Sequence, residues 1–312
     1  MQPYSTLNAS KANFDNIYDQ PDPRGYFSVL GALDYMIPDV AEPIIRQILR
    51  ARERRSGTPP TVLDLGCSYG INAALHRFPL SFRRLRLRYG NPDMAAVEPE
   101  QLAQLDRSYY GSWPQIGGAR FIGLDISAPA VRYAVSVGLL EAGVIANLES
   151  EALRREDRQV LREVDVVLST GCVGYVSERT FAAVLDAVER PPWVVSFVLR
   201  MFPYDAIAAL LAERGLVTEK LAGATFVQRR FRDLTEFGSC LATLEKLGID
   251  TGGLEAEGRF QAELFVSRPR ADAAALPLGR MVTVVSGRNR TVGTRYVRVG
   301  RGADAQVLRV PS

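Results

Sequence analysis

Short apolar runs alternate with amphipathic segments along most of the chain. Compact runs at residues 61–65, 121–125, 165–170 and 193–199 have the length and apolar content of buried parallel strands. A weaker run follows at 143–148. Strands that alternate with helical segments predict a mostly parallel sheet, because parallel neighbours need a long crossover connection, usually a helix.

The other core elements are predicted from periodicity and capping residues. Helices are predicted at 128–140, 177–189, 204–214 and 234–247. Extended structure is predicted at 216–221, 224–230 and 260–266. The sequence therefore predicts an α/β fold, a Rossmann-like seven-stranded, mostly parallel sheet with helices on both faces.

Two segments before and within this core break the alternation. Residues 1–57 begin with a polar lead and, after the helix-breaking Pro21 and Pro23, continue into a helix that ends near Arg55. We interpret them as a helical N-terminal cap. The core is predicted to span 58–270, with an insertion at 76–118 after the first strand and helix that is helical around 92–110.

The C-terminal residues 271–312 form a third region. They open with a linker of small residues, and β-branched runs follow at 281–285, 291–299 and 306–310. This pattern predicts a small antiparallel β extension beyond the core.

Composition narrows the classes of protein and site. Of the 312 residues, 47% are hydrophobic and 23% charged, which is typical of soluble globular proteins. No run reaches the roughly 20 apolar residues that span a bilayer, and the polar start lacks a signal-peptide core, so a cytoplasmic protein without membrane contact is expected. Three scattered cysteines and a single histidine, His76, disfavour a metal site, and none is predicted.

The charge of the chain does not favour a nucleic-acid partner. The net charge is only +3, and the one dense basic cluster, at 83–88, is best explained as a solvated helix or loop face. A small molecule is therefore the expected partner. Whether the chain forms a homodimer stays open at this point.

A glycine loop at the end of the first predicted strand carries the candidate chemistry. The run V-L-D-L-G-C-S-Y-G leads into an apparent helix, with a D-x-G-x-x-x-G pattern on Asp64, Gly66 and Gly70. Ligands of open α/β sheets bind at this carboxyl edge. The glycines let the backbone turn sharply and approach a ligand closely.

A dinucleotide-binding loop is the natural alternative. Its fingerprint is G-x-G-x-x-G, but Ser68 stands at the second glycine position and Asp64 precedes the first glycine. A carboxylate beside the loop opposes a pyrophosphate but favours an ammonium or sulfonium group. S-adenosylmethionine carries both of these groups and no phosphate, so the loop favours this cofactor.

On these residues the chain resembles class I S-adenosylmethionine-dependent methyltransferases over about 58–269. The resemblance implies that the first loop wraps the methionyl part of the cofactor, that an acid after the second strand binds the ribose, and that the loops after the third and fourth strands face the adenine and the methyl donor. The cofactor-binding residues implied are Asp64, Gly66, Cys67, Ser68, Tyr69, Gly70, Asn72, Asp125, Ile126, Asn147, Leu148, Thr170 and Gly171.

The spacing of the two acids departs from a simple β-α-β unit. Asp125 lies 61 residues after Asp64, against about 20 in such a unit, and the insertion accounts for the difference. The alternative for Asp125 is a helix N-cap without a ligand. For Asn147 the alternative is a turn residue.

The substrate side is predicted less specifically. Tyr175 is the candidate catalytic residue, and the candidate substrate residues are Tyr18, Tyr26, Phe27, Arg200, Phe202 and Tyr204. Arg200 suits a carboxylate clamp, with a structural ion pair as the alternative. Core packing is the alternative for the aromatic residues.

The expected reaction is methyl transfer to O, N or C of a small molecule, with S-adenosylhomocysteine as the product. The sulfonium is already activated, so positioning suffices, and His76 is interpreted as a helix-surface or loop residue, not a base. The sequence lacks N-P-P-Y after the fourth strand, which disfavours amino-methylation of DNA bases or protein glutamine. It also lacks a P-C pair and a paired-glutamate loop, which disfavours methylation of cytosine C5 and of arginine. Two alternatives remain: methylation of a macromolecule (tRNA or protein), and a non-catalytic cofactor-binding module.

Overall fold

The computed structural model describes residues 15–286, 294–299 and 306–311. The polar lead at 1–14 and the first residues of the strand predicted at 291–299 lie outside this part of the chain.

One sheet of eight strands forms the centre of the molecule. Its strands are β1 (Thr61–Leu65), β2 (Arg120–Asp125), β3 (Ala142–Ile145), β4 (Val166–Thr170), β5 (Trp193–Leu199), β6 (Leu216–Lys220), β7 (Phe226–Arg230) and β8 (Arg259–Pro269). The order is β3-β2-β1-β4-β5-β8-β6, and β7 pairs with β8 beside this path. The first five strands are parallel, whereas β8 is antiparallel to β5, β6 and β7. The predicted α/β sheet is confirmed, with eight strands instead of seven, because the extended segment predicted at 224–230 joins the sheet as β7.

The central strands are buried along their whole length. All five residues of β1 and all seven of β5 are inaccessible to solvent. Strands covered on both sides need apolar side chains in both directions, which explains why V-L-D-L and W-V-V-S-F-V-L show no alternation.

Helices connect the strands of the core. They are α4 (Ile71–Arg77), α8 (Ala128–Ser136), α9 (Arg155–Leu161), α10 (Glu178–Leu185), α11 (Asp205–Glu213) and α12 (Leu234–Lys246). The side chains of Ser127, Ser177 and Asp233 cap α8, α10 and α12. The strand order reverses direction at β1, so right-handed crossovers place the helices before and after this point on opposite faces.

The N-terminal helices begin at the carboxyl edge of the sheet and extend toward its opposite edge, where Arg52 pairs with Asp165 just before β4. They are α1 (Asp15–Tyr18), α2 (Arg24–Ala32) and α3 (Ile37–Ser56). The turn between α2 and α3 is bound to β7, since Met36 N–H donates to the Gln228 carbonyl over 2.7 Å and Arg230 N–H donates to the Leu33 carbonyl over 2.8 Å. These two bonds hold the cap against the rim of the core.

The insertion is helical, with more breaks than predicted. It contains α5 (Phe82–Tyr89), α6 (Pro92–Ala95) and α7 (Pro99–Gly111). Asp106, fully buried, accepts hydrogen bonds from Arg88 and from the hydroxyls of Tyr89 and Tyr133. Because Tyr133 belongs to α8, this network anchors the insertion to the core.

The start of the C-terminal region differs from the prediction of a linker. Two short helices, α13 (Arg270–Ala275) and α14 (Leu278–Met281), pack their apolar residues against the sheet edge, where Arg268 is completely buried. The strand predicted at 281–285 is therefore only β9 (Val285–Ser286). It forms an antiparallel sheet with β10 (Thr294–Val299) and β11 (Gln306–Pro311), in the order β11-β10-β9.

Candidate functional site

The predicted cofactor residues meet at the carboxyl ends of four neighbouring strands. Leu65 at the end of β1 is in register with Leu124 in β2 and with Ser169 in β4. The residues that follow these positions therefore lie along one edge of the sheet. This register brings residues that are about a hundred positions apart in the sequence next to each other.

The loop after β1 has a tightly turned backbone. Gly66, Ser68 and Gly70 have φ angles of 74°, 48° and 76°, in the left-handed region. A Cβ atom on Gly66 would lie 2.8 Å from Cβ of Cys172, so only glycine fits between the loops after β1 and β4. Cys67 is buried, and a Cβ atom on Gly123 would lie 2.5 Å from its sulfur.

Asp64 is a fully buried acid with one unused oxygen. Its Oδ1 accepts a hydrogen bond of 2.8 Å from Nδ2 of Asn72, which also lies 3.0 Å from Oγ1 of Thr170. Its Oδ2 is buried and has no hydrogen-bond partner among the described residues. Burial raises the pKa of Asp64 to about 7, against the weaker opposing effect of Asn72.

Asp125 bridges the first two loops. Its Oδ2 accepts from Ser68 N–H over 2.8 Å and its Oδ1 accepts from Ser127 N–H over 3.0 Å. Burial raises the pKa of this carboxyl above its ordinary value, and the backbone donors oppose that shift. Ser127, and not Asp125, caps α8, which disfavours the helix-cap alternative. Ile126 beside it is 70% exposed at the rim.

The loop after β3 begins earlier than predicted, because the strand ends at Ile145. Asn147 is exposed, and its Oδ1 accepts from Glu149 N–H over 3.2 Å, as in a turn, while Leu148 is buried. The Glu149 carboxylate accepts from Ser177 N–H and from the Thr180 hydroxyl. It thereby ties this loop to the segment that follows β4.

The loop after β4 approaches the cap and β7. Gly171 has a φ of 95°, and a Cβ atom there would lie 2.6 Å from Nε2 of Gln228. Tyr175 lies at the rim with 49% of its surface exposed. The predicted catalytic tyrosine is thus accessible to solvent at this edge of the sheet.

Tyrosines of the cap surround the same edge. The ring of Tyr26 lies 5.7 Å from that of Tyr18 and 6.4 Å from that of Tyr35. Burial raises the pKa of Tyr35 to about 12, with a further contribution from Asp64, and burial raises those of Tyr18 and Tyr26 well above 10. Asp125 is among the groups that raise the pKa of Tyr18. These phenols are therefore neutral and close to the two acids.

Sequence reasoning did not find Tyr35, Gln228 or Arg229. Arg229 lies near Tyr18 and Tyr35, lowering the pKa of both, and is paired with Glu236 over 2.7 Å. The alternation in 224–230 predicts a strand. Nothing in it indicates that β7 borders the site, since that depends on pairing with β8 and on docking of the turn after α2.

Three of the predicted substrate aromatics are part of the core. Phe27 is stacked on Tyr89 at 4.8 Å. The Tyr204 hydroxyl donates to Oγ of Ser196 over 3.1 Å. Phe202 is buried, and a Cβ atom on Gly174 would lie 2.7 Å from its ring, so it supports the loop from beneath.

Arg200 is engaged in the protein itself. Its Nη1 lies 2.6 Å from Oε2 of Glu255, and its Nη2 donates to the Asp250 carbonyl over 2.7 Å. The side chains of Arg200 and Glu255 are 8% and 1% exposed. These contacts favour the alternative of a structural ion pair over a substrate clamp.

His76 is buried, which contradicts the expectation of a helix-surface or loop position. Its Nδ1 lies 3.4 Å from Oε1 of Glu42 in α3, and burial lowers its pKa. It joins α4 to α3 and does not belong to the site. Within the part of the chain that the structure describes, no group of three or more His, Cys, Asp or Glu side chains is placed to hold a metal ion.

The basic cluster of the insertion is partly committed to internal contacts. Arg88 pairs with Asp106 over 2.7 Å, and the guanidinium of Arg84 lies 4.7 Å from the ring centre of Trp113. Leu85 between them is buried, so α5 is an amphipathic helix with arginines on its outer side. Among the described helices, none combines the length and apolar character needed to cross a membrane.

The strand order defines the fold class. Five parallel strands in the order β3-β2-β1-β4-β5, extended by the antiparallel β8 between β5 and β6, form a Rossmann-like α/β sheet whose strand order reverses at β1. The Rossmann-like fold predicted from the sequence is therefore confirmed.

Comparison with known proteins adds only distant similarities. No family model and no curated protein matches the chain. The plantazolicin methyltransferase BpumL, in complex with a monoazolic desmethylPZN analog and SAH, is 12% identical, with a TM-score of 0.43 over 86% of this chain and 98% of its own. Magnesium protoporphyrin IX methyltransferase (ChlM) from Synechocystis PCC 6803, with bound SAM, is 11% identical, with a TM-score of 0.38 over the same shares. A TehB-like SAM-dependent methyltransferase from Corynebacterium glutamicum is 14% identical, with a TM-score of 0.34 over 70% of this chain and 86% of its own.

Proposed function

We propose that this protein is an enzyme that transfers the methyl group of S-adenosylmethionine to O, N or C of a small molecule, with S-adenosylhomocysteine as the product. The observation that carries the proposal is Asp64. Its Oδ2 is buried without a partner among the described residues, beside a loop that turns through left-handed backbone at Gly66, Ser68 and Gly70. An uncompensated buried acceptor is costly, and an ammonium group would satisfy it.

The other residues of this edge fit the remainder of the cofactor. Asp125 uses one acceptor site on each oxygen for backbone N–H groups, so each oxygen can still accept from a ribose hydroxyl. Ile126 and Leu148 are the apolar residues that we assign to the adenine side. Asp64 and the loop from Gly66 to Gly70 are assigned to the methionyl side.

The cap supplies the side of the proposed site that binds the molecule to be methylated. Tyr18, Tyr26 and Tyr35 are neutral phenols that can donate and accept hydrogen bonds while they exclude water. Tyr175 at the rim completes this group. When bound, the cofactor supplies a methyl group on an activated leaving group, so holding the acceptor in line is the main requirement on the protein.

The position of the cap favours a small acceptor over a macromolecule. Helix α1 and the turn between α2 and α3 lie against the edge at which a long polymer would have to bind, and enclosed sites suit small ligands. Arg84 and Arg88 already have partners within the insertion, which reduces the charge available for nucleic-acid phosphates.

Calorimetry with S-adenosylmethionine and S-adenosylhomocysteine tests the cofactor assignment. We expect wild type to bind both, and Asp125→Ala to weaken both by about 10- to 100-fold, because charge-assisted hydrogen bonds are lost. Asp186→Ala, which removes an exposed carboxylate paired with Arg214, is the control that should bind normally. Equal binding by Asp125→Ala would refute the ribose assignment.

A labelled methyl donor then identifies the acceptor. Wild-type protein is incubated with separate small-metabolite, RNA and protein fractions, and we expect label in the metabolite fraction. Label confined to RNA or protein would establish the macromolecular alternative. Cofactor binding with no transfer to any fraction would favour a non-catalytic module.

A further inference from the structure

Tyr69 stands in the cofactor loop, yet its side chain belongs to the cap. The residue is completely buried. Its hydroxyl lies 2.9 Å from the Ile17 carbonyl, 3.1 Å from that of Tyr18 and 2.9 Å from that of Gln20. The first two carbonyls belong to the last residues of α1, where helical carbonyls lack intrahelical partners, and that of Gln20 lies two residues beyond the helix. One phenol from the loop thus caps the helix that carries Tyr18.

The backbone of Tyr69 cannot move independently of the cofactor loop. Its neighbours Ser68 and Gly70 both have left-handed φ angles, and Ser68 N–H is bound to Asp125. Its ring lies edge-on to Tyr26 of the cap, at 5.8 Å, and to Tyr133 of α8, at 5.7 Å. A shift of the loop would therefore displace the hydroxyl from α1.

The second cofactor loop reaches the same point. Oγ of Ser127, two residues after Asp125, donates to the Tyr18 carbonyl over 2.5 Å. Tyr69 and Ser127 thus approach one carbonyl from two loops that Asp125 connects. The geometry of both loops and the position of α1 depend on each other.

From these contacts we infer that Tyr69 is a positioning residue that couples the cofactor loop to closure of the cap over residues 17–20. The inference rests on the proposed function, because the ligand that shapes the loop is the proposed cofactor. Linkage is reciprocal: a ligand that stabilises the bonded loop stabilises the closed cap, and a closed cap raises the affinity for that ligand. Because the ligand must leave past the cap, we expect the gain in affinity to appear as slower release.

Tyr69→Phe tests the coupling, since it removes the hydroxyl and keeps the ring. We measure hydrogen exchange of a peptide covering 15–23, and the dissociation rate of S-adenosylhomocysteine. Both are expected to rise by about five- to tenfold, the effect of losing one buried hydrogen bond. Tyr204→Phe is the matched control, because it also removes a buried hydroxyl, one that donates to Ser196 in β5 and not to the cap. It should leave both values unchanged.

The outcomes separate this inference from the proposed function. Unchanged exchange in Tyr69→Phe, or faster exchange with unchanged dissociation, would overturn the coupling. If wild type fails to bind S-adenosylhomocysteine, the proposed function fails, whereas the exchange of the free protein still decides whether Tyr69 holds α1. Should Tyr69→Phe not fold, Ser127→Ala removes the second donor to Tyr18, and normal exchange in that variant would contradict the coupling.

Discussion

Nδ2 of Asn72 lies 2.8 Å from Oδ1 of Asp64 and 3.0 Å from Oγ1 of Thr170. The amide therefore uses both hydrogens to join the first turn of α4 to the ends of β1 and β4. It stabilises one oxygen of a buried acid and leaves the other without a partner. The acid is thus held in place where we propose that the ammonium group of the cofactor binds, at a cost to the free protein.

That cost makes the stability of the free protein depend on pH. The pKa of Asp64 is raised from 3.8 to about 7 in the folded protein. Between these values the unfolded carboxyl has lost its proton and the folded one keeps it, so stability falls as pH rises and levels off above about 7. The full loss corresponds to about 4 kcal/mol.

Asp64→Asn is expected to remove the pH dependence of stability that Asp64 causes and to weaken ligand binding. Urea unfolding is measured at pH 5, 6, 7 and 8 without ligand. The free energy of unfolding of the variant should increase relative to that of wild type as pH rises to about 7. Its affinity for S-adenosylhomocysteine should fall by about 10- to 100-fold, because a charged partner for the ammonium is lost. Parallel stability profiles for the two proteins would contradict the assigned burial of the charge.

Gly66→Ala should destabilise the cofactor loop by more than the strain of a left-handed φ angle alone. Gly57 has a similar φ of 81° but nothing lies within 4 Å of a Cβ atom there, whereas a Cβ atom on Gly66 meets Cys172 at 2.8 Å. Gly57→Ala thus reports the conformational strain, about 1 kcal/mol, and Gly66→Ala adds the steric clash. Thermal unfolding and calorimetry should show a larger stability loss and weakened cofactor binding only for Gly66→Ala. Equal effects would show that the loop can relax away from Cys172.

Arg200 is expected to matter for stability and not for ligands. Arg200→Met leaves Glu255 buried without its partner, which typically costs about 3–5 kcal/mol. The double variant Arg200→Met, Glu255→Met should recover most of that loss, because the uncompensated charge is gone. Urea unfolding measures both variants, and calorimetry should find normal S-adenosylhomocysteine affinity in the folded double variant. Failure of the second substitution to restore stability would argue against the pair as the cause.

The ion pair between Arg229 and Glu236 should respond in a similar way. Both side chains are almost fully buried, and Nη1 and Nη2 of Arg229 contact the two oxygens of Glu236 at 2.8 and 2.7 Å. Glu236→Gln is expected to destabilise the protein by several kcal/mol, roughly 3–5. Glu189→Gln, in an exposed pair with Arg162, should cost far less, because solvent screens an exposed ion pair. Similar losses of stability in Glu236→Gln and Glu189→Gln would show that burial of the ion pair does not determine the loss.

Local pattern was sufficient for the core elements and for part of the site. The buried strands β1, β2, β4 and β5 were predicted to within one residue, because continuous apolar runs occur where both faces of a strand are covered. The linker predicted after 270 was wrong, since short helices of low intrinsic stability form there through packing against Arg268 and the sheet edge.

The aromatic residues show where pattern stops being informative. Tyr26 and Phe27 are neighbours in α2, yet Tyr26 lies with Tyr18 near the site while Phe27 is stacked on Tyr89. Successive residues of a helix point about 100° apart, so their surroundings depend on how α2 is placed. Neither the composition nor the spacing of residues in the sequence predicts how α2 is placed.

By itself, the sequence determined the fold class and the location of the candidate cofactor loop, because strand burial and the glycine pattern are local properties of the backbone. Tertiary structure alone decided that Asp64 keeps an unpartnered oxygen, that Arg200 is neutralised by Glu255, and that Tyr35 joins the site. Those outcomes depend on which distant residues the sheet register and the docked cap bring within a few ångströms, and desolvation then sets the charge of each group.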